Sequence, residues 1–354
     1  MRVALIPGDG IGPEVVAEAR RVLERVATAH GLELEMETFD LGADRYLRTG
    51  DTLPERDFER LRDGFDAILL GALGDPRVPD NAHARDILLG LRFRLDLYVN
   101  LRPVRLLHPD HSPLRDVGPG DVDLLLVREN TEGLYTGLGG TLRGGTPQEL
   151  AVEEDVNTRH GVERVVRAAF ELARARGRSR VTLADKANAM RHAGALWRRV
   201  FEEVGSGYGD IGREARYVDA LAMDLILHPS RYDVIVASNL FGDILSDVAA
   251  GLVGGLGLAP SVNYAPGGGA LFEPVHGSAP DIAGTDRANP FAAILTAALL
   301  LEHAGHQAAA DAVRTAIDAA VAAGETTPDL GGRLGTRDAG ERVADRIASF
   351  HESE

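Results

Sequence analysis

The stretch Ile6–Glu14 reads I-P-G-D-G-I-G-P-E and joins an apolar run, Val3–Pro7, to a segment with apolar residues at helical spacing, Glu14–His30. A glycine-rich turn that follows a strand and opens a helix is the context of a dinucleotide-binding fingerprint. The G-x-G-x-x-G spacing fails, however, because Pro13 stands three residues after Gly10. The stretch therefore indicates a tight strand-to-helix turn, with proline near the first helical position, and disfavours a Rossmann site.

Outward from this turn, short apolar runs alternate with longer segments of helical periodicity. We predict further strands at Leu32–Phe39, Ala67–Leu70, Tyr98–Leu101, Val122–Val127, Val181–Ala184 and Asp233–Ala237. We predict further helices at Phe58–Asp63, Ala84–Leu95, Val162–Arg176, Asn289–His303 and His306–Ala323, and one from about Asp243. Such alternation predicts an α/β fold whose sheet is covered by helices on both faces. The glycine-rich segment Thr136–Pro147 is either a disordered loop or a hairpin arm.

Composition narrows the classes of function. The chain has 354 residues, 44% of them hydrophobic, which suits one large or two medium globular domains. Its net charge of −16 disfavours nucleic acid or an anionic membrane as the main partner, but not a small anionic substrate. The absence of cysteine excludes disulfides, thiolate nucleophiles and cysteine–zinc sites. The longest apolar run, Phe291–Leu301, is short of the roughly 20 residues of a membrane span, so we expect a cytoplasmic protein.

Charged residues suggest two kinds of site. Asp243 and Asp247 are four residues apart, so on a helix they share a face and suit Mg²⁺ or Mn²⁺. Acidic residues in a first helical turn that interact with the helix dipole are the alternative. A group of arginines suggests carboxylate binding, with surface ion pairs as the alternative: Arg92, Arg94, Arg102, Arg105 and Arg128. Lys186 is the one lysine among 38 basic residues, and lysine, unlike arginine, can lose its proton in a protein.

Seven longer stretches carry a resemblance to a known family. They are Ile6–Glu14, Leu91–Pro103 (L-R-F-R-L-D-L-Y-V-N-L-R-P), Val127–Tyr135 (V-R-E-N-T-E-G-L-Y), Asp185–Asn188 (D-K-A-N), Tyr217–Ala220 (Y-V-D-A), Asn239–Asp247 (N-L-F-G-D-I-L-S-D) and Phe272–Gly284 (F-E-P-V-H-G-S-A-P-D-I-A-G). Together they resemble the β-decarboxylating dehydrogenases, which act on isocitrate, 3-isopropylmalate, homoisocitrate and tartrate or malate. The likeness extends from the first residues to about His303.

The resemblance implies a two-domain α/β fold like that of isopropylmalate dehydrogenase, distinct from the Rossmann fold. A discontinuous cofactor-binding domain would comprise residues 1–97 and 254–354. Residues 98–253 would form the dimerisation domain, which carries the substrate and metal site and a glycine-rich clasp arm near residues 136–160. The implied state is a homodimer with shared active sites.

The resemblance also assigns roles to matching residues. The arginines that bind the malate carboxylates are implied to be Arg92, Arg102 and Arg128. The implied ligands of Mg²⁺ or Mn²⁺ are Asp243, Asp247 and, from the partner subunit, Asp219. Tyr135 is implied to be the acid, and Lys186, reaching in from the other subunit, the base that acts directly or through water and Asp219. Arginine could not replace Lys186, because its pKa is too high.

The cofactor implied is NAD. The loop that resembles the adenosine-binding segment contains His276, Gly277, Ser278, Ala279, Asp281 and Ile282, and Glu273 and Asn289 complete the implied cofactor residues. Asp281 can accept hydrogen bonds from both ribose hydroxyls and would repel a 2′-phosphate. NADP-using relatives carry Lys-Tyr where this chain has Asp281-Ile282.

The substrate side chain is predicted from the residues that precede Arg92. In the family these face the group at C3 of malate, and here they include Arg85, Leu88 and Leu89. The two leucines resemble an apolar wall for a branched alkyl group, so oxidation of 3-isopropylmalate to 2-oxoisocaproate is the first expectation. Arg85, with His83 nearby, could instead meet an anionic group. Homoisocitrate, isocitrate, tartrate, D-malate or an anionic analogue are the alternatives, because Arg128–Gly133 and Ala249–Pro260 look more like homoisocitrate or tartrate enzymes. A non-catalytic regulatory subunit is disfavoured, because such chains lack residues that are present here.

Overall fold

Most strands coincide with the apolar runs of the sequence. The structure is a computed structural model that describes residues 1–351, with side chains through residue 347. The strands are β1 (Arg2–Gly8), β2 (Glu35–Thr38), β3 (Ala67–Ala72), β4 (Val99–Arg105), β5 (Asp123–Glu129), β6 (Gly139–Leu142), β7 (Leu150–Glu153), β8 (Arg180–Asp185), β9 (Gly212–Tyr217), β10 (Val234–Ala237), β11 (Pro260–Tyr264) and β12 (Ala270–Pro274). Every strand predicted from an apolar run is present, although β2 is shorter than its run, Leu32–Phe39.

The helices follow the segments of helical periodicity, with four additions. They are α1 (Gly12–His30), α2 (Ala43–Thr49), α3 (Glu55–Gly64), α4 (Ala82–Arg94), α5 (Arg159–Ala175), α6 (Arg191–Gly205), α7 (Val218–Leu227), α8 (Asn239–Gly251), α9 (Phe291–His303), α10 (Gln307–Ala322) and α11 (Thr336–His351). Helices α2, α6, α7 and α11 were not predicted. Within residues 1–351, no helix combines the length and the apolar character that a membrane span requires.

The first of two units comprises Met1–Leu97, Arg105–Pro119 and the chain from Ala250 onward. Its strands lie in the order β2-β1-β3-β12-β11, with parallel pairing except between β11 and β12. Ala4 and Ile6 of β1 pack into a buried cluster that includes residues of α3 and α4. Helices α1 and α9 also contact these strands. Helices therefore cover this sheet as predicted for an α/β fold.

The second unit comprises Tyr98–Val104 and Gly120–Ala249, with strands in the order β4-β5-β10-β8-β9. Strand β10 is parallel to β5 and β8, and β8 is parallel to β9. Helices α5, α6 and α7 contact these strands. Because parallel strands end at a common edge, the residues at or just after the carboxyl ends of β5, β8, β9 and β10 lie along that edge. This carboxyl edge presents Arg128, Lys186, Asp219 and Asn239.

The glycine-rich segment forms a hairpin, which decides between the two alternatives left open by composition. Strands β6 and β7 pair antiparallel, with Gly139 opposite Glu153 and Leu142 opposite Leu150. All eight paired residues are exposed. An isolated two-stranded hairpin is marginally stable at best in water.

Candidate active site

The N-terminal turn holds the loop that was predicted to bind the cofactor. The backbone N–H of Ile11 donates to the carbonyl of Ser278 over 2.8 Å, and the carboxylate of Glu14 accepts from the N–H of Gly284. Gly10 has φ +57°, and a Cβ there would lie 1.9 Å from the Ser278 oxygen. Only glycine permits this close approach. The I-P-G-D-G-I-G-P-E stretch is therefore a platform for the loop.

His276 is the residue of this loop whose side chain offers a buried hydrogen-bond acceptor. Its Nδ1 lies 3.0 Å from the carbonyl oxygen of Gly277, and a carbonyl can only accept, so Nδ1 carries the proton. Burial lowers the pKa of His276, which keeps the ring neutral and leaves Nε2 as an acceptor. Nε2 is buried without a hydrogen-bond partner among the described residues. A buried acceptor of this kind fits a donor supplied by a bound molecule.

The other predicted cofactor residues lie in three settings. Asp281 is exposed, and Ile282 is half-buried, with its N–H bonded to the carbonyl of Ala279 over 3.1 Å. The Asn289 amide is buried, accepting from the N–H of Phe291 and donating to Asp329 over 2.9 Å. Glu273 accepts from Arg92 over 2.7 Å, so in this structure it holds an arginine.

The five arginines separate into two groups. Arg92, Arg102 and Arg128 are buried, with 5%, 6% and 1% of their surfaces exposed. Arg94 and Arg105 are exposed and form ion pairs with Glu55 and Asp318. The alternative of surface ion pairs therefore holds for Arg94 and Arg105. The buried group consists of the three arginines that the resemblance singled out.

Arg102 and Arg128 converge on Asp243 of α8. Nη2 of Arg102 lies 3.2 Å from Asp243 Oδ1, and Nη1 of Arg128 donates to the same oxygen. Arg102 is also held by Asn100 and Ser246, over 2.7 and 2.5 Å. Two buried guanidinium groups therefore share one carboxylate, and guanidinium groups so placed can also bind the carboxylate of a ligand.

The first-turn explanation for Asp243 and Asp247 is wrong. Helix α8 begins at Asn239, so the two aspartates lie in its second and third turns, away from the strongest part of the dipole. Tyr135 lies in a single helical turn, Leu134–Thr136, and donates from its hydroxyl to Asp243 Oδ2 over 2.7 Å. Burial and this hydrogen bond raise the pKa of Tyr135, so it stays protonated. Burial and the neighbouring Asp243 raise the pKa of Asp247 despite the opposing charge of Arg102.

Lys186 follows β8 and contacts Asp219, at the start of α7. Its Nζ lies 2.6 Å from Asp219 Oδ1, and this hydrogen bond lowers the pKa of the carboxyl. The turn is fixed by Asp185, which accepts from the N–H of Ala187 over 2.7 Å and from Arg198 over 2.6 Å. Within residues 1–351, no group of three or more His, Asp or Glu residues is close enough to hold a metal. A single chain therefore does not bring Asp219 to Asp243 and Asp247.

The residues predicted to face the substrate side chain lie on α4. Leu88 and Leu89 are half-buried, Leu88 against the cluster of the first unit, whereas Arg85 is exposed. His83, the neighbour of Arg85 in the anionic alternative, is itself buried. His83 has no exposed surface, and its Nε2 lies 2.7 Å from Asp9.

Sequence reasoning missed the residues that hold the site together. Asn239, Asn100 and Ser246 each bind a buried arginine. Asn239 could have been found, since a polar residue two positions after the buried strand Val234–Ala237 lies at the carboxyl edge of a parallel sheet. No comparable signal marks Ser246, which lies inside a helix.

Comparison with known proteins extends over nearly the whole chain. Residues 2–343 match the family model described as isocitrate/isopropylmalate dehydrogenase. A 3-isopropylmalate dehydrogenase of Thermobifida fusca is 50% identical over 98% of both chains. One from Nocardia farcinica is 50% identical over 99% of both chains.

Solved structures agree with these relatives. An isocitrate dehydrogenase from Methylococcus capsulatus matches with a TM-score of 0.90 and 38% identity, covering 98% of this chain and 99% of its own. A β-decarboxylating dehydrogenase from Thermococcus kodakarensis matches with a TM-score of 0.82 and 40% identity, covering 99% and 96%. Together with the full-length relatives, these matches show that the chain belongs to the isocitrate/isopropylmalate dehydrogenase family.

Proposed function

We propose that this protein catalyses the NAD-dependent, divalent-metal-dependent oxidative decarboxylation of 3-isopropylmalate to 2-oxoisocaproate, in the cytoplasm and as a step towards leucine. The observation that carries the reaction type is the convergence of Arg102, Arg128 and Tyr135 on Asp243. The names of the relatives, at about half identity over almost the full length, support the choice of substrate.

The residues supply binding and proton transfer. Arg102 and Arg128 bind substrate carboxylate, and Arg92 is the predicted third carboxylate ligand. Lys186, directly or through Asp219, takes the proton of the C2 hydroxyl. Tyr135 returns a proton to carbon after CO₂ is lost, and its raised pKa keeps that proton available.

The donor set fits a small divalent cation. Asp243 and Asp247 offer carboxylate oxygens on successive turns of α8, the hard ligands that Mg²⁺ and Mn²⁺ prefer. A bound cation would acidify the C2 hydroxyl and stabilise the negative charge left at C3. Asp219 of a second subunit would complete the ligand set.

The loop at residues 276–282 fits NAD⁺, which would accept the hydride from C2. The unpartnered Nε2 of His276 can accept from the amino group of adenine, and Asn289 has a second amide hydrogen for the same base. The exposed carboxylate of Asp281 suits ribose hydroxyls and repels a 2′-phosphate.

We propose a homodimer with shared sites. Several apolar side chains of α7, α8 and the hairpin are exposed: Leu138, Leu142, Leu150, Val152, Met223, Ile226, Leu227 and Ile244. Such a set favours burial against a second copy.

Mixing inactive Asp219→Asn and Asp243→Asn chains should restore activity, because hybrid dimers have one intact site. Mixing Asp243→Asn with Asp247→Asn is the matched control and should restore none, since every site then lacks a ligand. Equal recovery in both mixtures, or none in either, contradicts sharing.

A substrate panel tests the proposed function. We expect 3-isopropylmalate, with Mg²⁺ and NAD⁺, to give the highest kcat/KM among 3-isopropylmalate, isocitrate, homoisocitrate, tartrate and D-malate. Leu89→Ala should selectively weaken use of 3-isopropylmalate, because burial of a branched alkyl group is worth about 1.5–3 kcal/mol. Leu47→Ala, at an exposed leucine of the same unit, is the control. A tenfold higher kcat/KM for an anionic 3-substituted malate would contradict the proposal that Leu88 and Leu89 form an apolar wall. Arg85 would then be the next residue to mutate. Absence of turnover with every compound would favour a regulatory subunit.

A further inference from the structure

Asn239 occupies a junction that the proposed roles do not explain. It is the first residue of α8, lies two residues after the end of β10, and has 1% of its surface exposed. Its Oδ1 accepts from Nε and Nη2 of Arg128, over 3.0 and 2.7 Å. Its Nδ2 donates to the backbone carbonyl of Glu132 over 3.1 Å. One buried amide thus joins an arginine of β5 to the loop that follows the strand.

Two glycines make room for this junction. A Cβ at Gly242 would lie 2.7 Å from both Cβ and Cγ of Arg128, so the arginine crosses α8 only because that position is bare. Gly133 has φ +77°, and a Cβ there would lie 3.2 Å from Cβ of Asn239. Gly242 therefore admits the Arg128 side chain that Asn239 binds, and Gly133 permits the close turn beside Asn239.

The loop that Asn239 binds leads directly to Tyr135. The carboxylate of Glu132 is anchored by the N–H and hydroxyl of Thr158, and the N–H of Gly133 donates to Val156 over 2.8 Å. Tyr135 lies two residues after Gly133, and its ring centroid lies 4.9 Å from the guanidinium carbon of Arg128. The arginine and the tyrosine are thus neighbours, and Asn239 contacts both the arginine and the backbone that carries the tyrosine.

We propose that Asn239 is a positioning residue that fixes Arg128 for carboxylate binding and Tyr135 for proton transfer. The task needs an acceptor and a donor in one short side chain, which an amide supplies. Aspartate would keep the acceptor, lose the donor and add a negative charge beside Arg128. Alanine would lose both contacts. The inference rests on the proposed function for the identity of the anion that Arg128 binds and for the proton transfer assigned to Tyr135.

Asn239→Asp is nearly isosteric and gives the sharpest test. The added charge competes with substrate for Arg128, so KM for the malate should rise about 10- to 100-fold, the range of a hydrogen bond to a charged group. KM for NAD⁺, whose predicted site lies in the other unit, should stay within about twofold. Asp233→Asn is the matched control, because it makes the reverse exchange at the opposite end of β10, where Asp233 binds Ser179. Its kinetics should remain those of the wild type.

Double mutants separate positioning from a general loss of stability. If Asn239 acts through the tyrosine, Asn239→Ala should lower kcat strongly in the wild type and much less in a Tyr135→Phe background. Additive losses, or KM for NAD⁺ and malate rising together, would overturn the proposal. Calorimetric titration of the variants with D-malate needs no turnover. Weaker binding by Asn239→Asp than by Asp233→Asn supports the role even if 3-isopropylmalate is not the substrate, and equal binding overturns it.

Discussion

Asp9, the acidic residue of the turn that decides the fold, should be a principal contributor to the stability of the first unit. Its carboxylate accepts three hydrogen bonds, from the N–H of Ala43 over 2.6 Å, the N–H of Gly74 over 2.9 Å, and Nε2 of His83 over 2.7 Å. Asp9 has only 7% of its surface exposed, so water does not replace these contacts when the carboxylate is removed. Asp9→Ala therefore leaves three donors without an acceptor.

The size of the effect follows from those three donors. A buried donor left unsatisfied costs about 1–3 kcal/mol, and more where the lost partner is charged. The contributions overlap because the three donors share one carboxylate, so we expect a total loss of about 3–5 kcal/mol in the free energy of unfolding. Asp9→Asn keeps one acceptor oxygen and should lose about half as much.

Urea unfolding followed by far-ultraviolet circular dichroism measures this loss. The single tryptophan, Trp197, lies in the second unit, so its fluorescence reports whether that unit unfolds with the first. Asp66→Ala is the matched control, because Asp66 is exposed and accepts one hydrogen bond, from the N–H of Arg2. We expect it to cost under about 1 kcal/mol. An Asp9→Ala variant no less stable than Asp66→Ala would refute the reasoning.

Three further predictions concern chemistry and pH. Lys186→Arg should keep the fold yet lower kcat by about 10²–10⁴-fold, since the charge remains but the titratable amine is lost; a loss below threefold contradicts the assignment. Exchange of Asp281-Ile282 for Lys-Tyr should weaken or reverse the preference for NAD⁺, measured as the ratio of kcat/KM for the two cofactors; equal use of NADP⁺ by the unchanged protein contradicts it. The hydroxyl of Tyr232, with His228 and nearby arginines, lowers the pKa of Asp224 to about 2. A lowered carboxyl pKa stabilises the fold at pH values above the pKa of the unfolded state, and this stabilisation is lost as the carboxylate is protonated. The difference in the free energy of unfolding between wild type and Asp224→Asn should therefore shrink as the pH falls from about 4 towards 2. A constant difference would show that charge is not the cause.

The start of α8 shows where sequence patterns stop being informative. The helix was expected from about Asp243, yet it begins at Asn239. Gly242 lowers the helix propensity of the first turn of α8. A side chain at this position would clash with Arg128, which is far away in the sequence. Local patterns cannot reveal such a contact, so the acidic pair was placed one turn too early.

Elements that lack a one-sided pattern were missed for a related reason. Strand β9 reads G-R-E-A-R-Y and lies at an end of its sheet, where polar side chains are tolerated. Helix α7 is apolar on several sides, and Met223 and Leu227 are exposed in the single chain. Periodicity identifies elements with one buried face. It therefore found α1, α5 and α10, whose apolar residues pack against their own unit, and most strands of the sheet, but it missed the buried central strands β11 and β12.

The candidate site was predicted in its residue types and not in its contacts. Burial separated Arg92, Arg102 and Arg128 from the two surface arginines, although all five looked alike in the sequence. Glu273, which was expected near the cofactor, accepts a hydrogen bond from Arg92, and no sequence pattern predicted that contact. Charged side chains are placed by the partners that the fold supplies, and those partners come from distant segments.

The contacts of Asp243 predict that metal and substrate bind cooperatively. Its Oδ1 accepts from Arg102 and Arg128, and its Oδ2 accepts from Tyr135, so a divalent cation competes with three donors for the same carboxylate. A malate supplies new carboxylates to both arginines and thereby lowers the cost of releasing Asp243. Titration calorimetry should show tighter Mn²⁺ binding with 3-isopropylmalate present, by about 5- to 150-fold, and reciprocity requires the same factor for the malate when Mn²⁺ is present. Arg102→Gln should bind Mn²⁺ alone more tightly and show less coupling, because one competitor is gone. Equal Mn²⁺ affinity with and without the malate would mean that these arginines do not hold Asp243 against the metal.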